Sequence, residues 1–143
     1  GVIKLSRVLF SSLHYPGDYG LIPRTFYEDG DPLDVLVFNN EPTFPGCVIE
    51  ARPIGIFKML DKDLPDDKIL AVPANDPLFK DYQTIDDIPQ HFLREVGHFF
   101  EVYKDLEGER TRPIGWEGLA SAYTQIEHAI GLYRDKFGRG RRI

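Results

Sequence analysis

The hydrophobic pattern of the chain changes once, near Asp81, and this change limits the folds open to it. Before that point, four short segments are rich in β-branched or aromatic residues and are bounded by Pro, Gly, Asn and Asp, which predicts strands. They cover residues 3–10, 33–38, 47–60 and 68–72. After that point, apolar residues recur every three or four positions, as in helices. Strands followed by helices predict an α+β fold with a mainly β core, a small twisted sheet or barrel that carries the helices.

Two helices are predicted in the second half of the chain. The first has Pro89 near its start and Gly108 just past its end. Its apolar positions are Ile88, Phe92, Val96, Phe99, Phe100 and Tyr103. The second runs from about Glu117 to Phe137. Its predicted apolar stripe consists of Leu119, Tyr123, Ile126, Ile130 and Tyr133.

Composition narrows the class of protein. The chain has 143 residues and 42% hydrophobic content. Residues 1–143 are therefore expected to form one domain with a real core. Acidic residues outnumber basic ones 23 to 17, which argues against a nucleic-acid partner. The single Cys47 cannot form an internal disulfide, which favours a cytoplasmic setting. No apolar run approaches the length of a membrane span, so no membrane association is expected.

The stretch DGDPLDVLV places three carboxylates directly before an apolar strand. In an extended chain Asp29 and Asp31 share a face while Asp34 points the other way. The three can converge only if the backbone bends, which Gly30 and Pro32 permit. Because Asp34 stands at the entrance of a buried strand, where an unpaired carboxylate is costly, the sequence predicts a cationic partner for it.

Three interpretations of this stretch compete. It can be a solvated acidic turn between strands. It does not suit an EF-hand calcium loop, because Asp34 would occupy the sharp-turn glycine position and Asn40 the bidentate glutamate position. It can also bind Mg²⁺, a hard cation that prefers oxygen ligands, and Mn²⁺ would fit similar ligands. A second acidic group, predicted as a polar loop over residues 61–67, would supply further ligands for several Mg²⁺ ions in one cavity.

Cations and phenols that suit a phosphate ligand occur elsewhere in the chain. Arg7, Lys68 and Lys104 are either surface cations or charges facing the same cavity as the aspartates. Cations among metal-binding aspartates are what a bound polyphosphate needs. The stretch YPGDYG adds Tyr15 and Tyr19 in a predicted rigid turn, where each phenol is either core or a hydrogen-bond donor to a phosphate oxygen.

Five sequence blocks resemble the soluble family I inorganic pyrophosphatases and follow that family's order. They are YPGDYG, DGDPLDVLV, ARPIGIFKMLD, DDKILAVP and HFFEVYKDLEG, and the likeness runs from about Arg7 into the second helix. The resemblance implies an OB-like five-stranded β-barrel flanked by two α-helices. It also implies Mg²⁺-dependent hydrolysis of inorganic pyrophosphate to two phosphates by a metal-activated water, which removes pyrophosphate released by biosynthetic reactions.

The resemblance also assigns metal ligands. Asp29, Asp34 and Asp66 match the tightest metal site, with Asp34 shared with a second ion. Asp61 and Asp66 match the ligands of a further, substrate-associated ion. Asp67 is the alternative to Asp66, because a one-residue slip exchanges adjacent aspartates.

Catalytic and substrate-binding roles follow from the same resemblance. Asp31 matches the carboxylate that helps to deprotonate the attacking water. A further set matches the residues that hold the two phosphoryl groups, or lies in their pocket: Arg7, Tyr15, Tyr19, Lys68, Tyr103 and Lys104.

Members of the resembled family carry a segment before the point that matches Gly1, and it supplies an outer strand, a lysine and two glutamates of the active site. Nothing in residues 1–5 replaces it. If Gly1 is the true start, we expect an incompletely closed barrel and low activity. If the gene encodes that segment, the chain is a fragment of an ordinary enzyme.

The chain is also expected to assemble with copies of itself. The resemblance implies a homo-hexamer, and the first helix is a candidate for subunit contacts. His98 on that helix is interpreted as a packed or interface histidine, because it lacks a ligand partner at helical spacing.

Two other functions compete with pyrophosphate hydrolysis. One alternative is an OB-like binding module for oligonucleotides, which the net acidity opposes. The other is a catalytically impaired or dead pyrophosphatase-fold protein.

Overall fold

The computed structural model describes residues 3–5, 17–40, 44, 46–106 and 111–138, with only the backbone described at 3–5 and 103–106. Its strands are β1 (Ile3–Leu5), β2 (Asp18–Leu21), β3 (Asp34–Val37), β4 (Ile49–Asp61), β5 (Leu64–Pro65), β6 (Lys68–Pro73) and β7 (Thr111–Glu117). Its helices are α1 (Gln90–Leu106) and α2 (Leu119–Phe137). The sheet runs in the order β1-β4-β6-β3-β2, and β5 and β7 also pair with β4. The predicted α+β fold with a mainly β core is confirmed.

The central strands β3 and β6 pair in parallel and are buried on both faces. This explains the continuous apolar runs VLV and ILAV, which lack the alternation of a half-exposed strand. Val35 and Ile69 pack in the cluster beneath α2, whereas Leu36 and Leu70 pack in the cluster beneath α1. Side chains two residues apart share a face, so Asp34 and Lys68, which are paired in the register, both belong to the α1 side.

Helix α1 begins directly after Pro89, as predicted. Phe92, Val96 and Phe100 of the predicted stripe are buried against the sheet, and Phe99 is half-buried. Of the two interpretations of His98, packed or interface, the exposed side chain excludes packing within this chain, and the interface interpretation stays a prediction. It lies on the face of α1 that points away from the sheet.

Helix α2 begins two residues later than predicted, because Glu117 is the last residue of β7. Its buried line consists of Ala122, Ile126 and Ala129, and the larger side chains of the predicted stripe flank this line half-buried. The small alanines allow the helix to approach the sheet closely. Neither described helix has both the length and the apolar character needed to cross a bilayer.

Strand β7 is not predicted from the sequence, because TRPIGWE contains Pro113 and Gly115, residues that weaken a strand. The structure accommodates them by a register shift opposite Lys58 and Met59 of β4, where Ile114 lies out of register and exposed. Gly115 has φ +136°, a conformation that favours glycine.

One loop prediction is wrong, and a second is right in position but omits a short strand. The second half of YPGDYG is a strand rather than a turn, since Asp18–Leu21 pairs antiparallel with β3. The acidic stretch 61–67 connects β4 to β6 as predicted, but within it the two-residue strand β5 folds back in a tight hairpin against the end of β4. Its two turn residues, Lys62 and Asp63, have φ values of 53° and 66°. Positive φ at both turn positions matches the twist of the flanking strands.

Candidate metal and phosphate site

Hydrogen bonds join the two ends of the connection between β2 and β3. Ile22 N donates to Leu33 O at 2.9 Å. The buried Thr25 hydroxyl donates to Ile22 O at 2.6 Å and accepts from Leu33 N at 2.9 Å. The two ends of the connection are therefore held together.

A tight turn at the tip of this connection carries the first two aspartates. Tyr27 N donates to Asp31 O at 2.8 Å, and Gly30 N donates to Tyr27 O at 3.0 Å. Gly30 adopts φ +87°, which a side chain would oppose. Asp31 N donates to Asp29 Oδ1 at 3.1 Å, so the turn also orients the Asp29 carboxylate. The bend predicted at Gly30 is present, and it brings Asp29 to the same place as Asp34.

Three carboxylates converge where β3 and β6 begin. One oxygen each from Asp29, Asp34 and Asp66 lies within 4.8 Å of the others. The cationic partner predicted for Asp34 is Lys68, the first residue of β6. Its Nζ donates to Asp34 Oδ2 at 2.5 Å and to Asp66 Oδ1 at 2.8 Å.

The Lys68 side chain is 3% exposed and lies against two aromatic rings. Its Nζ is 5.5 Å from the centre of the Tyr19 ring and 5.4 Å from the centre of the Phe100 ring. Cation–π attraction therefore adds to the ion pairs. Burial lowers the pKa of the ammonium, but the oxygens of Tyr19, Asp34 and Asp66 outweigh it and hold that pKa well above its usual value. Lys68 is therefore a permanent cation.

The carboxylates are electrostatically strained when no metal is bound. Burial, reinforced by repulsion from Asp66, raises the pKa of Asp29 to about 7. Burial also raises the pKa of Asp34, although Lys68 offsets part of that effect. Among these four side chains, a single ammonium faces three carboxylates, so the group favours an added cation.

The donor set fits a hard divalent cation. All three ligand atoms are carboxylate oxygens, as Mg²⁺ and Mn²⁺ prefer, and three protein oxygens leave positions for water or phosphate oxygen. The solvated-turn interpretation suits the exposed Asp31 but not Asp34, whose carboxylate is paired with a buried lysine.

Sequence comparison agrees with this chemistry. The sequence profile described as inorganic pyrophosphatase matches residues 1–134. The chain is 51% identical over 136 residues to the inorganic pyrophosphatase of Haloferax volcanii, covering 94% of this chain and 77% of that protein. It is 48% identical over 136 residues to the inorganic pyrophosphatase of Geobacillus stearothermophilus, covering 95% of this chain and 82% of that one. The chain belongs to the inorganic pyrophosphatase family.

Solved structures share the fold of this pyrophosphatase family member. An inorganic phosphatase from Anaplasma phagocytophilum matches with a TM-score of 0.86 and 32% identity, covering 93% of this chain and 94% of that one. The inorganic pyrophosphatase from Thermus thermophilus matches with a TM-score of 0.81 and 40% identity, covering 90% of this chain and 75% of that one. These likenesses confirm the predicted OB-like core with two helices.

The other predicted site residues of the pyrophosphatase family are placed as follows. Asp31 is exposed on the turn. Asp61 is half-buried at the end of β4, and neither it nor Asp31 belongs to the group of three carboxylates. Arg7 and Tyr15 lie outside the described residues, as does the predicted strand beyond Leu5. For Tyr103 and Lys104 only the helical backbone is described.

Several residues that shape this candidate site do not stand out in the sequence. Phe100 belongs to the predicted core stripe, yet its ring also contacts the Lys68 ammonium. Tyr27 and Lys58 were not singled out, and both bind the Asp67 carboxylate. The alternation of side chains along a strand could have separated Asp66 from Asp67, because Asp66 is two residues from Lys68 and shares its face.

Proposed function

We propose that this protein hydrolyses inorganic pyrophosphate to two phosphates and uses Mg²⁺ as its cofactor. The observation that carries the proposal is the convergence of three carboxylates with a buried lysine in a member of the inorganic pyrophosphatase family. The curated relatives of Haloferax volcanii and Geobacillus stearothermophilus bear that name. The implied biological role is removal of pyrophosphate released by biosynthetic reactions.

Asp29, Asp34 and Asp66 hold the metal in this proposal. When bound, Mg²⁺ supplies Lewis acidity, which lowers the pKa of water and neutralises phosphate oxygens. Mn²⁺ is a possible substitute because it accepts the same oxygen donors. Asp61 is assigned to a further metal ion. The register supports this, since Asp66 N donates to Met59 O and Asp61 is two residues along β4 from Met59, on the same face.

Lys68 and Tyr19 are assigned to the phosphoryl groups. Lys68 keeps its positive charge and therefore stabilises negative charge that gathers on the leaving phosphate. Burial raises the pKa of Tyr19 well above its usual value, even though Lys68 opposes this effect. The phenol consequently stays protonated, so that it donates a hydrogen bond to phosphate without adding charge. Arg7, Tyr15, Tyr103 and Lys104 complete the proposed substrate-binding set.

Asp31 is assigned to proton transfer from the attacking water. Its backbone is fixed by the turn, while its side chain is exposed, so a proton taken up there can pass to solvent. The same turn carries Asp29, a proposed metal ligand. In this proposal, one hydrogen-bonded turn carries both the general base and a metal ligand.

Neither competing function gains support from the structure or the relatives. The carboxylate cluster would repel the backbone of an oligonucleotide. An impaired enzyme would be expected to have lost ligands, whereas Asp29, Asp34 and Asp66 come together and Lys68 is in place.

Assembly, location and domain organisation belong to the same proposal. Residues 1–143 are treated as one domain, supported by one sheet that carries both helices and by the family match over residues 1–134. A homo-hexamer is proposed, with the exposed His98 and Val102 of α1 as candidate contacts. Light scattering on the purified protein tests it, and a monomer would contradict it. The proposed location is the cytoplasm.

The decisive experiment measures phosphate release from pyrophosphate with and without Mg²⁺. The wild-type protein should be active only with Mg²⁺, and Asp34→Asn should lose that activity because one metal ligand loses its charge. Asp135→Asn, an exposed aspartate on α2, is the matched control and should behave as wild type. A folded wild-type protein that releases no phosphate with Mg²⁺ would overturn the proposed function.

A further inference from the structure

Tyr27 is not one of the proposed metal ligands, but it connects three parts of the molecule. These are the turn that carries Asp29, the segment that carries Asp66 and Asp67, and helix α2. It is 3% exposed. Its backbone opens the turn that carries Asp29, through its hydrogen bonds with Gly30 and Asp31. Its hydroxyl donates to Asp67 Oδ2 and lies 2.9 Å from Gln125 Oε1 of α2.

Asp67 is anchored on β4 independently of Tyr27. Its side chain is 2% exposed. Its Oδ2 lies 3.2 Å from Lys58 Nζ, and its Oδ1 accepts from Met59 N at 3.3 Å. The preceding residue, Asp66, donates from its own backbone N to Met59 O at 3.0 Å. The segment that supplies the Asp66 carboxylate is therefore fixed on β4.

The turn is fixed on α2 in the same way, at three successive residues. Phe26 N donates to Ala129 O at 3.1 Å. The Tyr27 hydroxyl lies 2.9 Å from the side-chain amide of Gln125. Because its single proton goes to Asp67, the hydrogen bond between them forms with the amide NH2 group turned toward the phenol oxygen. Glu28 Oε1 lies 2.6 Å from His128 Nε2. Of these three contacts, that of Tyr27 continues to the segment of Asp66, because the same hydroxyl binds Asp67.

The Tyr27 hydroxyl thus joins two segments that each carry one carboxylate of the cluster. Asp29 lies two residues after Tyr27, and Asp66 lies one residue before Asp67. In the metal-free protein the carboxylates repel one another, which favours a wider separation of these segments. A neutral phenol that donates to Asp67 resists that separation without adding charge.

We propose that Tyr27 is a positioning residue for the divalent-metal site, in which its hydroxyl sets the spacing between the Asp29 and Asp66 carboxylates. The inference rests on the proposed function, because it takes these aspartates to be the metal ligands. Tyr27 itself touches neither metal nor substrate in this account. It acts by preorganising the ligands before the cation arrives.

The test is Mg²⁺ binding to the EDTA-stripped protein without substrate, measured by titration calorimetry. Tyr27→Phe keeps the ring and removes only the hydroxyl. We expect its Mg²⁺ affinity to fall about tenfold, the lower end of the usual effect of removing a group that orients metal ligands. Tyr133→Phe is the matched control, since this half-buried tyrosine of α2 lies against Phe137, and its Mg²⁺ affinity should be unchanged.

A second measurement separates positioning from a general loss of stability. A ligand that binds only the folded state raises the melting temperature, and it does so less when it binds more weakly. Tyr27→Phe should therefore show a smaller Mg²⁺-induced rise in melting temperature than wild type. A purely structural hydroxyl would lower the melting temperature equally with EDTA and with Mg²⁺. Gln125→Met, which removes only the contact with α2, should show a smaller loss in the same direction.

The outcomes distinguish the inference from the proposed function. Equal Mg²⁺ affinities in wild type, Tyr27→Phe and Gln125→Met would overturn the positioning role alone. Absence of saturable Mg²⁺ binding to the folded wild-type protein would overturn both. A tenfold loss in Tyr27→Phe, with Tyr133→Phe unchanged, would support both.

Discussion

Asp66 and Asp67 are neighbours in sequence, yet their carboxylates lie on opposite faces of the sheet. Asp66 Oδ1 accepts from Lys68 Nζ at 2.8 Å on the side of α1. Asp67 Oδ2 accepts from the Tyr27 hydroxyl on the side of α2. The cause is the alternation of side chains in extended backbone. One aspartate is therefore available to a metal ion, and the other fixes the backbone that presents it.

Asparagine at each of these two positions should have a different effect. Asp66→Asn removes a ligand charge but keeps an acceptor for Lys68, so Mg²⁺ affinity should fall at least about tenfold while the metal-free protein keeps its stability. Asp67→Asn leaves the Lys58 ammonium without its anion, so the free energy of unfolding should fall by about 2 kcal/mol. Calorimetric titration and urea unfolding in EDTA measure the two effects. The reverse ranking, with Asp67→Asn the weaker metal binder and the more stable protein, would contradict the assignment.

Replacing Lys68 with methionine should destabilise the metal-free protein. The change leaves the Asp34 and Asp66 carboxylates facing each other without the ammonium that neutralises them. Breaking such a buried pair costs about 3 kcal/mol, measured as the free energy of unfolding in urea with EDTA. Added Mg²⁺ should restore part of this loss, because a divalent cation replaces the missing charge.

The control for this change is Lys80→Met. The Lys80 side chain is exposed. Its substitution should therefore change the free energy of unfolding by no more than about 0.5 kcal/mol. Equal effects of the two methionine substitutions would show that the Lys68 ion pairs contribute nothing to stability.

Much of the fold could be predicted from local patterns. Apolar runs predict strands β3, β4 and β6, and apolar spacing of three to four residues predicts both helices. Both patterns can be read from the sequence because they reflect which positions are buried. β7 could not be predicted, because Pro113 and Gly115 argue against a strand and only pairing with β4 stabilises one there. The type of the hairpin at Lys62 and Asp63 likewise depends on the twist of its two strands rather than on residue preference.

Only the part of the site that depends on local sequence could be predicted. Local sequence places Asp29 beside Asp34 and predicts that a cation neutralises Asp34. The identity of that cation as Lys68 depends on the parallel pairing of β3 with β6, a contact between distant segments. The link from Tyr27 to Asp67 depends on the packing of a loop against α2, which no periodic pattern records.

The pKa of Asp29 predicts how the stability of the metal-free protein depends on pH. Its value of about 7 in the folded protein lies above the ordinary 3.8. Between these values the folded state binds more protons than the unfolded state, so the free energy of unfolding falls as pH rises through this window. Asp29→Asn removes the contribution. In EDTA the variant should match wild type near about pH 4 and exceed its stability by roughly 2 kcal/mol near about pH 8, a figure reduced for the partial exposure of Asp29.

Urea unfolding across this pH range, with EDTA throughout, makes the measurement. With Mg²⁺ the order should reverse at about pH 8, because wild type gains stability from a metal that the variant binds weakly. A constant difference between the two proteins at all pH values would mean that Asp29 titrates normally.

Substitution by alanine should have opposite effects on stability at two glycines, Gly17 and Gly131. A Cβ at Gly17 would lie 2.8 Å from Val37 O and 3.3 Å from Leu36 Cδ1, so the start of β2 would have to move. Gly17→Ala should cost about 2 kcal/mol and should raise the KM for pyrophosphate, because β2 carries Tyr19. A Cβ at Gly131 meets nothing within 4 Å, and this residue lies inside α2. Gly131→Ala should therefore stabilise the protein by about 0.5–1 kcal/mol and leave KM unchanged. Thermal unfolding and steady-state kinetics of both variants test this, and a destabilised Gly131→Ala or a neutral Gly17→Ala would contradict the packing described here.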